Sequence, residues 1–199
     1  MTAPRERAPQ GACDTHAHVF GPAARYPYSG ARGYTPPDAV LEDWLALHET
    51  LGVTQGVLTQ PSVYGVDNQA ILDAVTMHPD RLRAVVAVNG GISDAELRRL
   101  DDEGARGIRT NIADKGGMPF NSIDEVARFA RRLEPLGWHV ELLVHVHEMD
   151  MGAFRDFPVD VVIGHYGYMP AARGPGDPGF RAMLSLVEAG RAWVKMTAP

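Results

Sequence analysis

The sequence holds a single cysteine, Cys13, so no disulfide can close within the chain and no cysteine-based zinc site can form. Lysine is almost as scarce. Lys115 and Lys195 are the only two among 19 basic residues, a bias we read as genomic composition. Against 25 acidic residues the formal net charge is -6, and a chain without a basic stripe is not expected to bind nucleic acid. No apolar run approaches the ~18 residues of a membrane span, and the opening MTAPRERAPQGACD lacks the apolar segment of a signal peptide. The expectation is a soluble, cytoplasmic protein with no membrane partner. Also missing are a GxGxxG or Walker loop after the first strand, and a GxSxG elbow around Ser62.

What is present is ordinary globular composition, 45% hydrophobic and 22% charged, which excludes a disordered chain. A length of 199 residues gives one domain, or at most a small second one, enough to bury a sizeable core. We expect residues 1–11 to form a loose leader and residues 12–199 the domain. Short Val- and Ile-rich runs alternate with segments of helical period. The expected strands are 12–18, 55–60, 81–89, 105–112, 139–146, 159–165 and 192–197. The expected helices run from Thr35 as N-cap to Gly52, over 67–78, 93–103, 122–136 and about 149–157, and from Asp177 to Glu188. Ser93 with Glu96, and Ser122 with Glu125, have capping-box spacing. Val40, Leu41, Trp44, Leu45, His48 and Leu51 form the apolar stripe of the first helix.

Seven strands alternating with six helices imply a parallel α/β sheet with right-handed crossovers. An open doubly wound sheet and a (β/α)8 TIM-like barrel both fit. Histidines at the end of the first strand favour the barrel, which then comes up short by one strand and two helices.

The strongest chemical signal is Asp14-Thr15-His16-Ala17-His18. Strand residues i and i+2 share a face, so His16 and His18 project together at the carboxyl end of strand one, the mouth of a barrel. Two imidazoles can ligate a divalent metal or polarise a carbonyl oxygen. His165, ending strand six, would reach the same mouth, and His145, ending strand five, can join it or face water. His139 begins its strand and reads as structural; His48 and His78 lie on helices and receive no role. Arg109, at the end of strand four, offers a bidentate clamp for a carboxylate, and Lys115 a second cation. Ser62 can donate to a substrate oxygen, and Tyr34 lies where a lid would lie. Cys13, without a cationic neighbour, reads as inert. For each of these the plainer reading, a packed or solvated side chain, stays open.

The run Cys13-Asp14-Thr15-His16-Ala17-His18-Val19-Phe20-Gly21-Pro22 resembles the amidohydrolase superfamily, and within it the amidohydrolase-related group that contains 2-pyrone-4,6-dicarboxylate lactonase. So do Tyr26-Pro27-Tyr28, Gly33-Tyr34-Thr35-Pro36, Gly107-Ile108-Arg109, Gly137-Trp138-His139-Val140, Val161-Val162-Ile163-Gly164-His165 and Trp193-Val194-Lys195-Met196. The resemblance implies a distorted (β/α)8 barrel that hydrolyses a small, often carboxylated lactone. It implies His16, His18 and His165 on the lactone carbonyl and Tyr34, Ser62 and Arg109 on the substrate. Lys115 falls where the group has a second arginine, and Glu141 near a substrate tyrosine of strand five. That lactonase looks metal-independent, whereas most of the superfamily needs a metal. Two cofactor readings follow: none, or one divalent ion (Zn or Mn) on His16, His18, His145 and His165. A metal-dependent amidohydrolase or decarboxylase, and an inactive ligand-binding form, are the alternative activities. The expected partner is a small-molecule substrate, and a homo-oligomer is compatible with the sequence. A substrate arginine and the strand-eight aspartate that serves as base are expected beyond Pro199, so the chain reads as C-terminally truncated.

Overall fold

The computed structural model describes residues 4–113 and 119–197. It divides into two compact units, Met1–Ala87 with Ala95–Arg106, and Val88–Asp94 with Gly107–Pro199.

The first unit carries β1 (Cys13–Ala17), α1 (Leu41–Leu51), β2 (Gln55–Thr59), α2 (Gln69–Met77) and β3 (Leu82–Val86). β1 pairs with β2 and β2 with β3, all parallel. Strands of a parallel sheet are covered on both faces and so read as continuous apolar runs. Leu58, Leu82 and Ala84 are accordingly fully buried, and Ile71 of α2 is buried with them. The first helix starts at Leu41, later than its Thr35-Pro36 signal suggests. The reason lies upstream, where Phe20 and Ala39 exchange both backbone hydrogen bonds, at 2.8 and 2.9 Å. That bridge keeps Ala39 extended.

The second unit carries most of β4 (Ala105–Asn111), then α4 (Ile123–Ala130), β5 (His139–Leu143), β6 (Val161–Ile163), α5 (Pro178–Glu188) and β7 (Ala192–Val194). α3 (Asp94–Asp102) has its first residue here and the rest in the first unit. β4, β5, β6 and β7 pair in chain order, all parallel. Ile108, Val140, Leu142, Val161 and Ile163 are fully buried.

Five α-helices stand among the described residues where six were expected. The segment near 149–157 forms only a 3-10 turn, Met151–Phe154, in which the Asp150 carboxylate accepts from Gly152 N–H at 2.8 Å. A four-residue turn containing glycine is too short to propagate as an α-helix. The helix expected over 122–136 ends at Ala130 and resumes as a 3-10 turn, Glu134–Leu136. Pro135 is the cause, since it has no N–H and its ring clashes with the carbonyl four residues back. Among the described residues, no helix is long and apolar enough to cross a membrane.

α5 is held at its start by Asp177, whose Oδ1 accepts from Gly179 N–H at 2.9 Å and Phe180 N–H at 3.2 Å. A hydrogen bond from Arg173 holds the Asp177 carboxyl below the usual carboxylate range, with burial opposing and the two N–H groups assisting. A depressed folded value means that the stabilisation is present above the unfolded value and disappears as pH falls through the folded one. Asp177→Ala should therefore melt below the parent at neutral pH, and the gap should close in acid. Circular dichroism melts across that range check it, and a gap that persisted in acid would contradict the assignment.

Candidate active site

In the first unit the DTHAH run is fastened from behind. The backbone N–H of His16 donates to Asp14 Oδ1 at 3.1 Å, while Asp14 Oδ2 accepts from Trp44 Nε1 and His48 Nε2, each at 3.1 Å. His48, given no role by the sequence, is 2% exposed and anchors β1 to α1. Its place on the apolar stripe was the available signal.

His16 lies in β1, and His18 lies one residue past it. Their rings stand edge to face with centroids 4.8 Å apart. Thr59, at the end of β2, serves both. Its carbonyl accepts from His18 Nδ1 at 2.7 Å, and its hydroxyl faces His16 Nδ1 at 3.5 Å. A carbonyl can only accept, so Nδ1 of His18 carries a hydrogen. The ring then presents Nε2, a base when neutral and an N–H donor when charged. Sequence reasoning missed Thr59, because a backbone carbonyl leaves no mark in a residue pattern.

Ser62 opens a 3-10 turn, Ser62–Tyr64, just past β2, and is exposed. Tyr34 is 50% exposed in the long loop. That loop is pinned elsewhere. Tyr26 Oη donates to Asp73 at 2.8 Å, and Gly21 N–H donates to Tyr64 Oη at 2.8 Å. Burial, then the bond to Asp73, pushes the Tyr26 phenol up to about 12. Burial pushes Tyr64 up to about 12 as well. Neither is a proton donor near neutrality. Burial and the Asp14 carboxylate raise the Cys13 thiol, in line with an inert cysteine.

In the second unit His165 stands two residues past β6, at the start of a left-handed turn. His165, Tyr166, Gly167 and Tyr168 have φ of 51°, 54°, 63° and 47°. Residues other than glycine adopt this region rarely and at a cost, which tertiary contacts must cover. Here Tyr166 N–H donates to the Lys195 carbonyl at 3.1 Å, and Val146 N–H to that of Gly167 at 3.0 Å. His165 Nδ1 shares a hydrogen with Thr197 Oγ1 at 2.5 Å. The Tyr168 ring touches both His145 and His165, with centroids 5.6 and 5.5 Å away. An apolar cavity of about 710 Å³ opens beside His165, walled by Tyr166, Tyr168, Met169 and Phe180.

Arg109 is buried on β4, in register with Glu141 on β5. Glu141 is fully buried and accepts from Lys195 Nζ at 2.7 Å. Lys115 lies outside the described residues. Sequence reasoning named Glu141 but not its partner. The signal was a lone carboxylate inside the apolar strand His139-Val140-Glu141-Leu142-Leu143, which calls for a cation.

For a divalent metal the test is the donor set. Among the described residues no group of three or more His, Cys, Asp or Glu side chains is placed to hold one. His145 lies tilted against the Tyr168 ring, and His165 leans on Thr197. The set expected for Zn or Mn is not assembled, and no step below runs through a metal.

A family model described as amidohydrolase matches residues 13–199. The chain is 36% identical over 201 residues to a 2-pyrone-4,6-dicarboxylate hydrolase of Comamonas testosteroni, covering 98% of this chain and 65% of that protein. It is 34% identical over 193 residues to a 4-sulfomuconolactone hydrolase of Rhizobium radiobacter, covering 95% and 64%. A crystal structure of a probable 2-pyrone-4,6-dicarboxylic acid hydrolase from Acinetobacter baumannii, with citric acid bound, matches with a TM-score of 0.81 at 30% identity, over 95% of this chain and 71% of that one. The chain spans just under two thirds of the length of these curated relatives. The structural likeness gives the fold class that the alternation left as one of two and the histidines of the first strand favoured, α/β of the incomplete (β/α)8 barrel type.

Proposed function

We propose that this chain, which belongs to the amidohydrolase family, carries the histidines and the anion-binding residues of a hydrolase that opens a small, anionic lactone. Water adds to the ring carbonyl carbon, the ring C–O bond breaks, and the leaving oxygen takes a proton, giving a hydroxy acid. The observation that carries this reading is His18, fixed through Nδ1 on the Thr59 carbonyl beside His16, so that any N–H it donates to a reacting oxygen comes from Nε2 of the charged ring. His16, His18 and His165 polarise the carbonyl as negative charge develops on its oxygen. Arg109, with Lys115, holds the substrate's acidic group, Tyr34 and Ser62 orient the ring, and Glu141 tunes the charge around Arg109. The relatives' names support the substrate class, since pyrone dicarboxylate and sulfomuconolactone are both lactones bearing acidic groups that are anionic at neutral pH.

The test is hydrolysis of a panel of carboxylated and sulfonated lactones by the gene product as the cell makes it, followed by acid release. The expected result is turnover of at least one anionic lactone and little of the matching neutral ester. Failure on every anionic lactone sinks the reading. Within the panel, Arg109→Met is expected to raise KM for the anionic lactone at least about tenfold, since a charge-assisted bidentate contact is lost. An unchanged KM would remove Arg109 from that role.

A further inference from the structure

Past β6 the chain runs His165-Tyr166-Gly167-Tyr168-Met169-Pro170. Tyr166 and Tyr168 both stand in the left-handed region, at φ 54° and 47°. Bulky residues rarely do so, and such strain gathers at ligand sites. A turn that served the fold alone would favour glycine at these places and would bury any ring it carried. Here both tyrosines stay open, Tyr166 39% and Tyr168 37% exposed. With Met169, Pro170, Ala171 and Phe180 they wall the cavity of about 710 Å³, and His165 stands in the same wall. That volume is of small-molecule size. The Tyr168 ring is held in place against the rings of His145 and His165. Among the described residues of this wall there is no Asp, Glu, Lys or Arg. An acidic group lodged here would lose water and gain no cation from the wall. An apolar group gains by leaving water.

We propose that this cavity is a substrate subsite for an apolar substituent, so that the preferred lactone carries an alkyl or aryl arm besides its acid. The inference rests on the proposed function in placing the lactone carbonyl at His165. From there the acid goes to Arg109, and the arm lies along Tyr168 into the space that Tyr166, Met169 and Phe180 wall. Aromatic walls suit such an arm, because they offer wide contact area with few rotatable bonds to order. The arm takes no part in the bonds that form and break; it holds the ring at the histidines.

The test is a set of 2-pyrone carboxylates with methyl, propyl or pentyl at each open ring position in turn, hydrolysed by the gene product as the cell makes it. Each buried methylene should raise kcat/KM about fourfold, so at one ring position propyl should exceed methyl by at least about tenfold. A carboxyethyl arm of the propyl's length should fall below methyl at that position. Met169→Glu brings a carboxylate to the wall, and Phe180→Ala removes part of it. Each should bring the propyl-to-methyl ratio below about threefold. The bond from Phe180 N–H to Asp177 is a backbone contact, so Phe180→Ala carries the test if Met169→Glu does not fold. Three results overturn the inference: a flat or falling alkyl series at every position, a carboxyethyl arm as good as propyl, or a ratio untouched in the folded variants. In the first case something other than substrate fills the cavity, and the lactonase reading stands. If no pyrone is hydrolysed, the cavity is read from the rise in melting temperature that each pyrone gives. A rise that grows from methyl to pentyl and is lost in Met169→Glu is expected, and a level series is fatal. The functional reading itself stands or falls on the wider lactone panel.

Discussion

Gly167→Ala is expected to destabilise the protein by about 2–5 kcal/mol and to cost most of its activity. Two effects add. An L-residue held at φ +63° pays about 1–2 kcal/mol for the left-handed region. A Cβ at this position would also stand 2.3 Å from Val146 Cγ1 and 3.0 Å from its Cγ2, an overpacking worth about 1–3 kcal/mol. Val146 cannot simply swing aside with its backbone, because its N–H donates to the Gly167 carbonyl. The strain falls in the turn that holds His165 against Thr197, so the loss should register in kcat as well as in the urea midpoint. Adding Val146→Ala should recover the packing part and leave the backbone part. A Gly167→Ala protein as stable as the parent would mean that the turn is not built as described.

Much of this architecture is legible in the residues. The alternation of apolar runs and helical periods gives seven parallel strands, because a strand covered on both faces must be apolar throughout. Ser122 caps α4 as its spacing predicts, accepting from Glu125 N–H at 3.3 Å. The reciprocal bond goes one residue astray, from Asn121 N–H to Glu125 Oε2 at 3.0 Å. Helix ends read less well wherever a contact from elsewhere decides them, as at Ala39.

The site is legible by residue type and not by partner. His16, His18, His165 and Arg109 all lie at or just past strand ends, where the pattern puts them. The residues that hold them are Thr59, through its carbonyl; Asp14, through a helix thirty residues away; and Tyr168, through ring contacts. None of these has a spacing rule. Glu141 and Lys195 are 54 positions apart. Only the sheet brings them together, and only burial makes their pairing obligatory.

The same logic makes His18 the most informative position to change. In His18→Asn the side-chain amide can donate to the Thr59 carbonyl in place of Nδ1, so the local backbone keeps its partner. Nothing stands in for Nε2. A general acid–base or oxyanion-stabilising group contributes about 10²–10⁴ in rate. His18→Asn should therefore lose that much in kcat, while its melting temperature stays near the parent and KM for the anionic lactone changes little. Under the proposed function binding of the acid falls to Arg109, so the two residues should split cleanly, one in kcat and the other in KM. His16→Asn should also lose kcat, with less protection of the fold, since its contact with the Thr59 hydroxyl is long at 3.5 Å. Were His18→Asn to keep full turnover, His18 would be a packing residue on Thr59, and the carbonyl-polarising role would pass to His16 and His165.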